Sequence, residues 1–95
     1  MALIQAIREH RLVKFVYDGL ARVVEPHTYG VLHDGREALS AHQVGGSSRS
    51  GNQPPWRLYA VDEITGLVVL QDIFHRTRPG YNPNDSRMET IYAAA

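Results

Sequence analysis

Leu3, Ile4 and Ile7 recur at helical spacing at the start of the chain, while Gln5, Arg8 and Glu9 fall on the other side. This spacing predicts a short amphipathic helix that lays an apolar stripe over another element. From Leu12 the period changes to two. Val13, Phe15 and Tyr17 alternate with Lys14 and Val16, Asp18-Gly19 supplies turn chemistry, and Arg22-Val23-Val24-Glu25 resumes extended character. Pro26 is expected to end that run, because it has no N–H to give to a strand ladder. Thr28 to His33 and Arg36 to Gln43 then flank Asp34-Gly35, a short-range hairpin signal.

The segment from Gly45 to Pro55, GGSSRSGNQPP, offers no side chains for a core and reads as a mobile surface loop. Trp56 to Val61 returns to extended structure, with Trp56, Leu58 and Ala60 on one face and Arg57, Tyr59 and Val61 on the other. A tight connection follows from Asp62 to Gly66. Leu67 to Leu70 is apolar enough for a strand buried on both faces, and Ile73 and Phe74 anchor a last strand. Arg76 to Asn84, with Pro79, Gly80 and Pro83, reads as an irregular loop. Ser86 and Glu89 have capping-box spacing, and Met88, Ile91 and Tyr92 repeat at i, i+3, i+4, which predicts a short C-terminal helix. The expected fold is mainly β: about five short strands, a leading helix, and a strongly bent sheet or barrel.

Composition narrows the class without changing that picture. Ninety-five residues make one domain, 1–95, with no room for two independent cores. A chain this short buries only about 60–65% of its unfolded surface. Without a cysteine it must cohere by packing or self-association, and it fits a reducing cytoplasm. Ten basic residues balance ten acidic ones, so there is no bulk polycation for duplex DNA or an anionic membrane. The opening apolar run is broken at Gln5 and Arg8, too early for a signal peptide or a bilayer span.

Beyond this pattern, the sequence resembles the WYL domain family. The resemblance rests on Ala6-Ile7-Arg8-Glu9-His10-Arg11, on Val13-Lys14-Phe15-Val16-Tyr17-Asp18-Gly19, on Arg22-Val23-Val24-Glu25-Pro26, and on the stretch from Trp56 to Leu67. It covers Ala2 to about Leu70, and the tail from Arg76 to Ala95 is less typical. The resemblance implies an Sm-like, SH3-type barrel. Such domains usually follow a winged-helix DNA-binding domain in bacterial regulators, where they sense nucleic acid or nucleotide-like ligands. The triad that names the family falls at Glu37-Ala38-Leu39, keeping only the leucine, and the second arginine of the closing strand is Glu63.

The candidate ligand residues are Arg22, His27, Tyr29, Arg57 and Tyr59, with Arg49 as a mobile closing group from the loop. No acidic residue lies between Glu37 and Asp62, or between Asp72 and Asp85, so a neutral chain carries two locally positive segments. Guanidinium forks suit phosphate oxygens, and Tyr29, Trp56, Tyr59 or Tyr81 offers a face for a base. The competing reading makes these arginines solvated strand-edge residues, or partners of Glu25, Glu37, Asp62 and Glu63. Phe15 and Tyr17 are assigned to the core.

Other chemistries find little footing. Gly46 to Gly51 has the glycine spacing of a phosphate loop, but Asn52-Gln53 stands where Lys-Ser/Thr is required. The five histidines lack paired ligand spacing, so neither a metal nor a cofactor is expected. Nothing resembles a nucleophile elbow or a paired-carboxylate site, and no enzyme is expected. The reading is a cytoplasmic, non-catalytic regulatory module. It would bind a small anionic nucleotide-like ligand or single-stranded nucleic acid and signal to a separately encoded partner. The rival is a structural domain that forms a homodimer through Leu67 to Leu70 or through Ile91 and Tyr92.

Overall fold

A computed structural model describes residues 2–47 and 55–95. Helix α1 (Ala2–Arg8) buries Leu3, Ala6 and Ile7 and leads into β1 (Arg11–Tyr17) and β2 (Leu20–Leu32). Next come β3 (Glu37–Gly46), β4 (Trp56–Ala60), a 3-10 turn at Val61–Glu63, β5 (Thr65–Ile73) and β6 (Met88–Ala94). All ladders are antiparallel, in the order β4-β3-β2-β1-β5, with β6 on β2. Among the described residues no helix is long and apolar enough to cross a membrane.

The first hairpin turns on Asp18 (φ 53°) and Gly19 (φ 74°). Two successive left-handed residues form the turn whose twist matches the flanking strands, which is why Asp-Gly suits it. Inside, Phe15 and Tyr17 meet Tyr59 edge-on, with ring centroids 5.0 and 4.9 Å apart. Val13, Val24, Leu39 and the buried side of α1 complete this core. The core assignment of Phe15 and Tyr17 therefore holds.

Three local expectations are corrected. Pro26 does not end its strand. One side of β2 pairs with β1 up to Val24 and with β6 from Thr28, while β3 runs along its other side. Pro26 sits where the first side changes partner, next to a register shift between Pro26 and Thr28 that leaves His27 as the inserted residue. A bulge is one of the few places where a sheet accepts proline.

The expected C-terminal helix is strand β6. Asp85, not Ser86, organises its start: its carbonyl accepts from Met88 N–H at 3.1 Å and its carboxylate from Arg87 N–H at 3.0 Å. A seven-residue helix is marginal alone, whereas the second half of β2 offers an open ladder. Gly30 lets β6 approach, because a Cβ there would collide with the Thr90 carbonyl oxygen.

Leu67 to Leu70 is not buried on both faces. β5 is an outer strand of the sheet, paired with β1, and Val68 is 52% exposed. Of the two expected anchors beyond it, Phe74 is buried but Ile73 is exposed.

Candidate anion site

Two arginines from distant strands reach the inner face of the sheet at the first hairpin. Arg22 pairs with Phe15 across β1 and β2, and Arg57 pairs with Ala41 across β3 and β4, so both alternate onto the side of the core. Arg22 is fully buried. Its Nη2 donates to the Tyr17 carbonyl at 3.2 Å and lies 4.0 Å from Asp18 Oδ2. Arg57, about a third exposed, donates from Nη2 to the same Asp18 oxygen at 3.3 Å. Among the described residues, this carboxylate thus stands against both guanidiniums.

Aromatic rings line the pair. The Arg57 guanidinium carbon is 5.1 Å from the Tyr17 ring centroid and 5.6 Å from that of Tyr59. For Arg22 the distances are 5.6 and 6.0 Å. Ring faces are electron-rich, so they soften the cost of a buried cation but do not saturate its N–H donors. That shortfall is specific: Arg22 Nε and Nη1 are buried and have no hydrogen-bond partner among the described residues. Burial pushes the Tyr59 phenol above its ordinary pKa, against the opposing pull of Arg22 and Arg57. Its hydroxyl donates to Gln43 Oε1 at 3.3 Å, and the Gln43 amide donates onward to the Gly45 and Ser47 carbonyls.

Of the six candidate residues, Arg22, Arg57 and Tyr59 come together. His27 and Tyr29 lie elsewhere. Tyr29 donates to Glu37 at 2.8 Å beside the Tyr92 ring, and burial followed by the Glu37 contact raises its pKa to about 12. His27 is buried on the opposite face among Trp56, Phe74 and Tyr81. Arg49 lies outside the described residues. The expected carboxylate partners serve other groups: Glu25 binds Arg78, while Asp62 and Glu63 bind Arg36.

Sequence reasoning missed Asp18, Gln43 and the second role of Tyr17 as a wall of the site. The one usable signal was Asp18 four positions before Arg22 across a tight turn. Among the described residues, no three His, Asp or Glu side chains gather as a metal site. Comparison with protein-family models, with curated proteins and with solved structures yields no match, and the chemistry of the site rests on its own geometry.

Proposed function

We propose that this protein is a non-catalytic, WYL-like sensing module. It takes the anionic group of a nucleotide-like ligand, or of single-stranded nucleic acid, between Arg22 and Arg57, and signals to a separately encoded regulatory partner. The observation that carries this reading is the buried Arg22 guanidinium, two of whose nitrogens have no hydrogen-bond partner among the described residues. Leaving donors of a buried cation unmatched is costly, and phosphate oxygens are the acceptors a guanidinium fork fits best. Arg57 gives the ligand its approach, since it is partly exposed and its carboxylate partner is replaceable by a phosphate. A leading helix and an antiparallel sheet in the order β4-β3-β2-β1-β5 fit a small SH3/Sm-like domain, in which no ladder among the described residues closes β4 onto β5.

Titrating nucleoside monophosphates, cyclic nucleotides and short single-stranded oligonucleotides by calorimetry tests the proposal. Wild type is expected to bind at least one class, more weakly as salt rises, and Arg57→Ala to lose about tenfold or more in affinity. No binding by either protein, or equal binding by both, overturns it.

A structural reading draws on one further observation. Val68 and Ile73 on β5 and Tyr92 on β6 are exposed apolar side chains. Sedimentation over a range of concentrations separates the readings: a tight dimer without ligand affinity favours the structural one, and a strict monomer removes it.

A further inference from the structure

The segment of residues 74–87 runs between β5 and β6 as a strap across the outer face of β2, β3 and β4. Thr28, Ser40 and Leu58 are register partners on that face, just as Leu39 and Tyr59 are on the inner one. Strap and sheet border an open-sided cavity of about 360 Å³, with Thr28, Ser40, Trp56 and Arg57 below and Gly80, Tyr81 and Arg87 above. That volume is within the range of small-molecule sites.

The strap is fastened around His27, the bulge residue of β2. A carbonyl only accepts, so the 2.8 Å contact with the Glu25 carbonyl puts the ring proton on Nδ1. A backbone amide only donates, so the 3.2 Å contact with Arg78 N–H makes Nε2 an acceptor. Both partners together demand the neutral ring. Phe74 and Tyr81 from the strap close on it, with centroids at 5.1 and 5.2 Å. Around this catch, Trp56 Nε1 donates to the Pro79 carbonyl at 2.8 Å, and Arg78 grips Glu25 at 2.6 and 3.0 Å.

We propose that the strap is a proton-released lid on this cavity and that His27 Nε2 is its catch. A proton on Nε2 replaces the acceptor of the Arg78 N–H with a second donor and sets a cation among buried rings.

The charged and titratable neighbours act in both directions. Glu25, through its carbonyl and carboxylate, favours the protonated ring; His42 from β3 and His10, which stacks on Phe74 at 4.8 Å, oppose it. Arg78 and Tyr81 face it from the strap. Burial is the largest influence and holds His27 below the ordinary histidine value. His42 is held down as well, by burial and then by Arg78. The closed lid therefore excludes the proton that the open lid accepts. Below the ordinary histidine range, opening is favoured by up to roughly tenfold per pH unit for one proton. The catch at His27 makes no use of the arginine pair, although Arg57 also borders the cavity.

Trp56 is the single tryptophan and reports on the lid through its contacts with Pro79 and Gly80. Acrylamide is a neutral quencher, so its access to Trp56 is measured from about pH 7.5 to about pH 5, the interval in which histidines titrate. Wild type is expected to show a several-fold rise in quenching while its β-sheet circular dichroism stays constant. His27→Gln, which cannot be charged, is expected to show no pH response; His42→Gln and His10→Gln keep it. A wild type that stays flat down to acid unfolding, or a response that survives in His27→Gln, overturns the proposal. If His27→Gln does not fold, wild-type NMR decides: the His27 ring nitrogens and Arg78 amide protection must titrate with one midpoint, and separate midpoints overturn it.

Discussion

Asp18, at the tip of the first hairpin, holds Arg57 by a 3.3 Å contact across 39 positions of sequence. The same oxygen stands 4.0 Å from Arg22 Nη2, so this carboxylate competes with the anion proposed to bind between the two guanidiniums. Asp18→Asn removes the competing charge and keeps a residue suited to the left-handed turn. Anion affinity is expected to rise about three- to tenfold in calorimetric titration. Stability is expected to fall by no more than about 1 kcal/mol, since Asp18 and Arg57 are both more than a third exposed or close to it. A variant with weaker anion binding would show that Asp18 supports the site instead of competing for it.

Arg22→Met separates binding from folding. Replacing a buried, under-satisfied guanidinium by an apolar chain of similar length removes a desolvation cost. Asp18 retains Arg57 as a partner in that variant. Urea denaturation is expected to show stability within about 1 kcal/mol of wild type, or above it, with anion binding abolished. A loss of several kcal/mol would make Arg22 a fold-holding residue.

The contrast between these residues shows what was legible in the sequence. Leu3 and Ile7, Asp18-Gly19 and Asp34-Gly35 carry local chemistry that needs no distant partner, so α1 and both hairpins were readable. Met88 to Tyr92 has helical spacing of its own, but the open ladder on β2 and the space left by Gly30 outweigh that preference. Pro26 misled for a similar reason, because the partner change on β2 is a tertiary event. Arg22, Arg57 and Tyr59 stood out by residue type. Their counter-ion did not, since the acidic partners considered were Glu25, Glu37, Asp62 and Glu63, which turn to Arg78, Tyr29 and Arg36 instead.

Stability depends on pH in a direction fixed by His27 and His42. Both are held below the ordinary value of 6.5 in the folded protein, chiefly by burial. The unfolded chain therefore takes up protons first as pH falls, and the native state loses stability from about pH 6.5 down to the folded pKa values. Asp85, held below its ordinary carboxylate value by Arg87, adds a second loss at lower pH. The urea midpoint is expected to be level above neutrality and to decline below it, with a shallower first decline in His27→Gln. A midpoint that rises on mild acidification would contradict this sign.

Gly30 tests the docking of β6. Gly30→Ala drives a methyl group against the Thr90 carbonyl, and backbone cannot yield as a side-chain tip does. A loss of about 2–3 kcal/mol is expected, with faster hydrogen exchange concentrated in Met88–Ala94. Wild-type stability with unchanged exchange would show that β6 contributes little.

On the proposed function, an anion engages the buried donors of Arg22 together with Arg57. NMR of guanidinium nitrogens in arginine-labelled protein, titrated with the tightest-binding nucleotide, reads this directly. Arg22 Nε–H and the Arg57 guanidinium are expected to shift together, saturably and with one dissociation constant. Saturable shifts at Arg57 with Arg22 unmoved, or no shift at either, would contradict it.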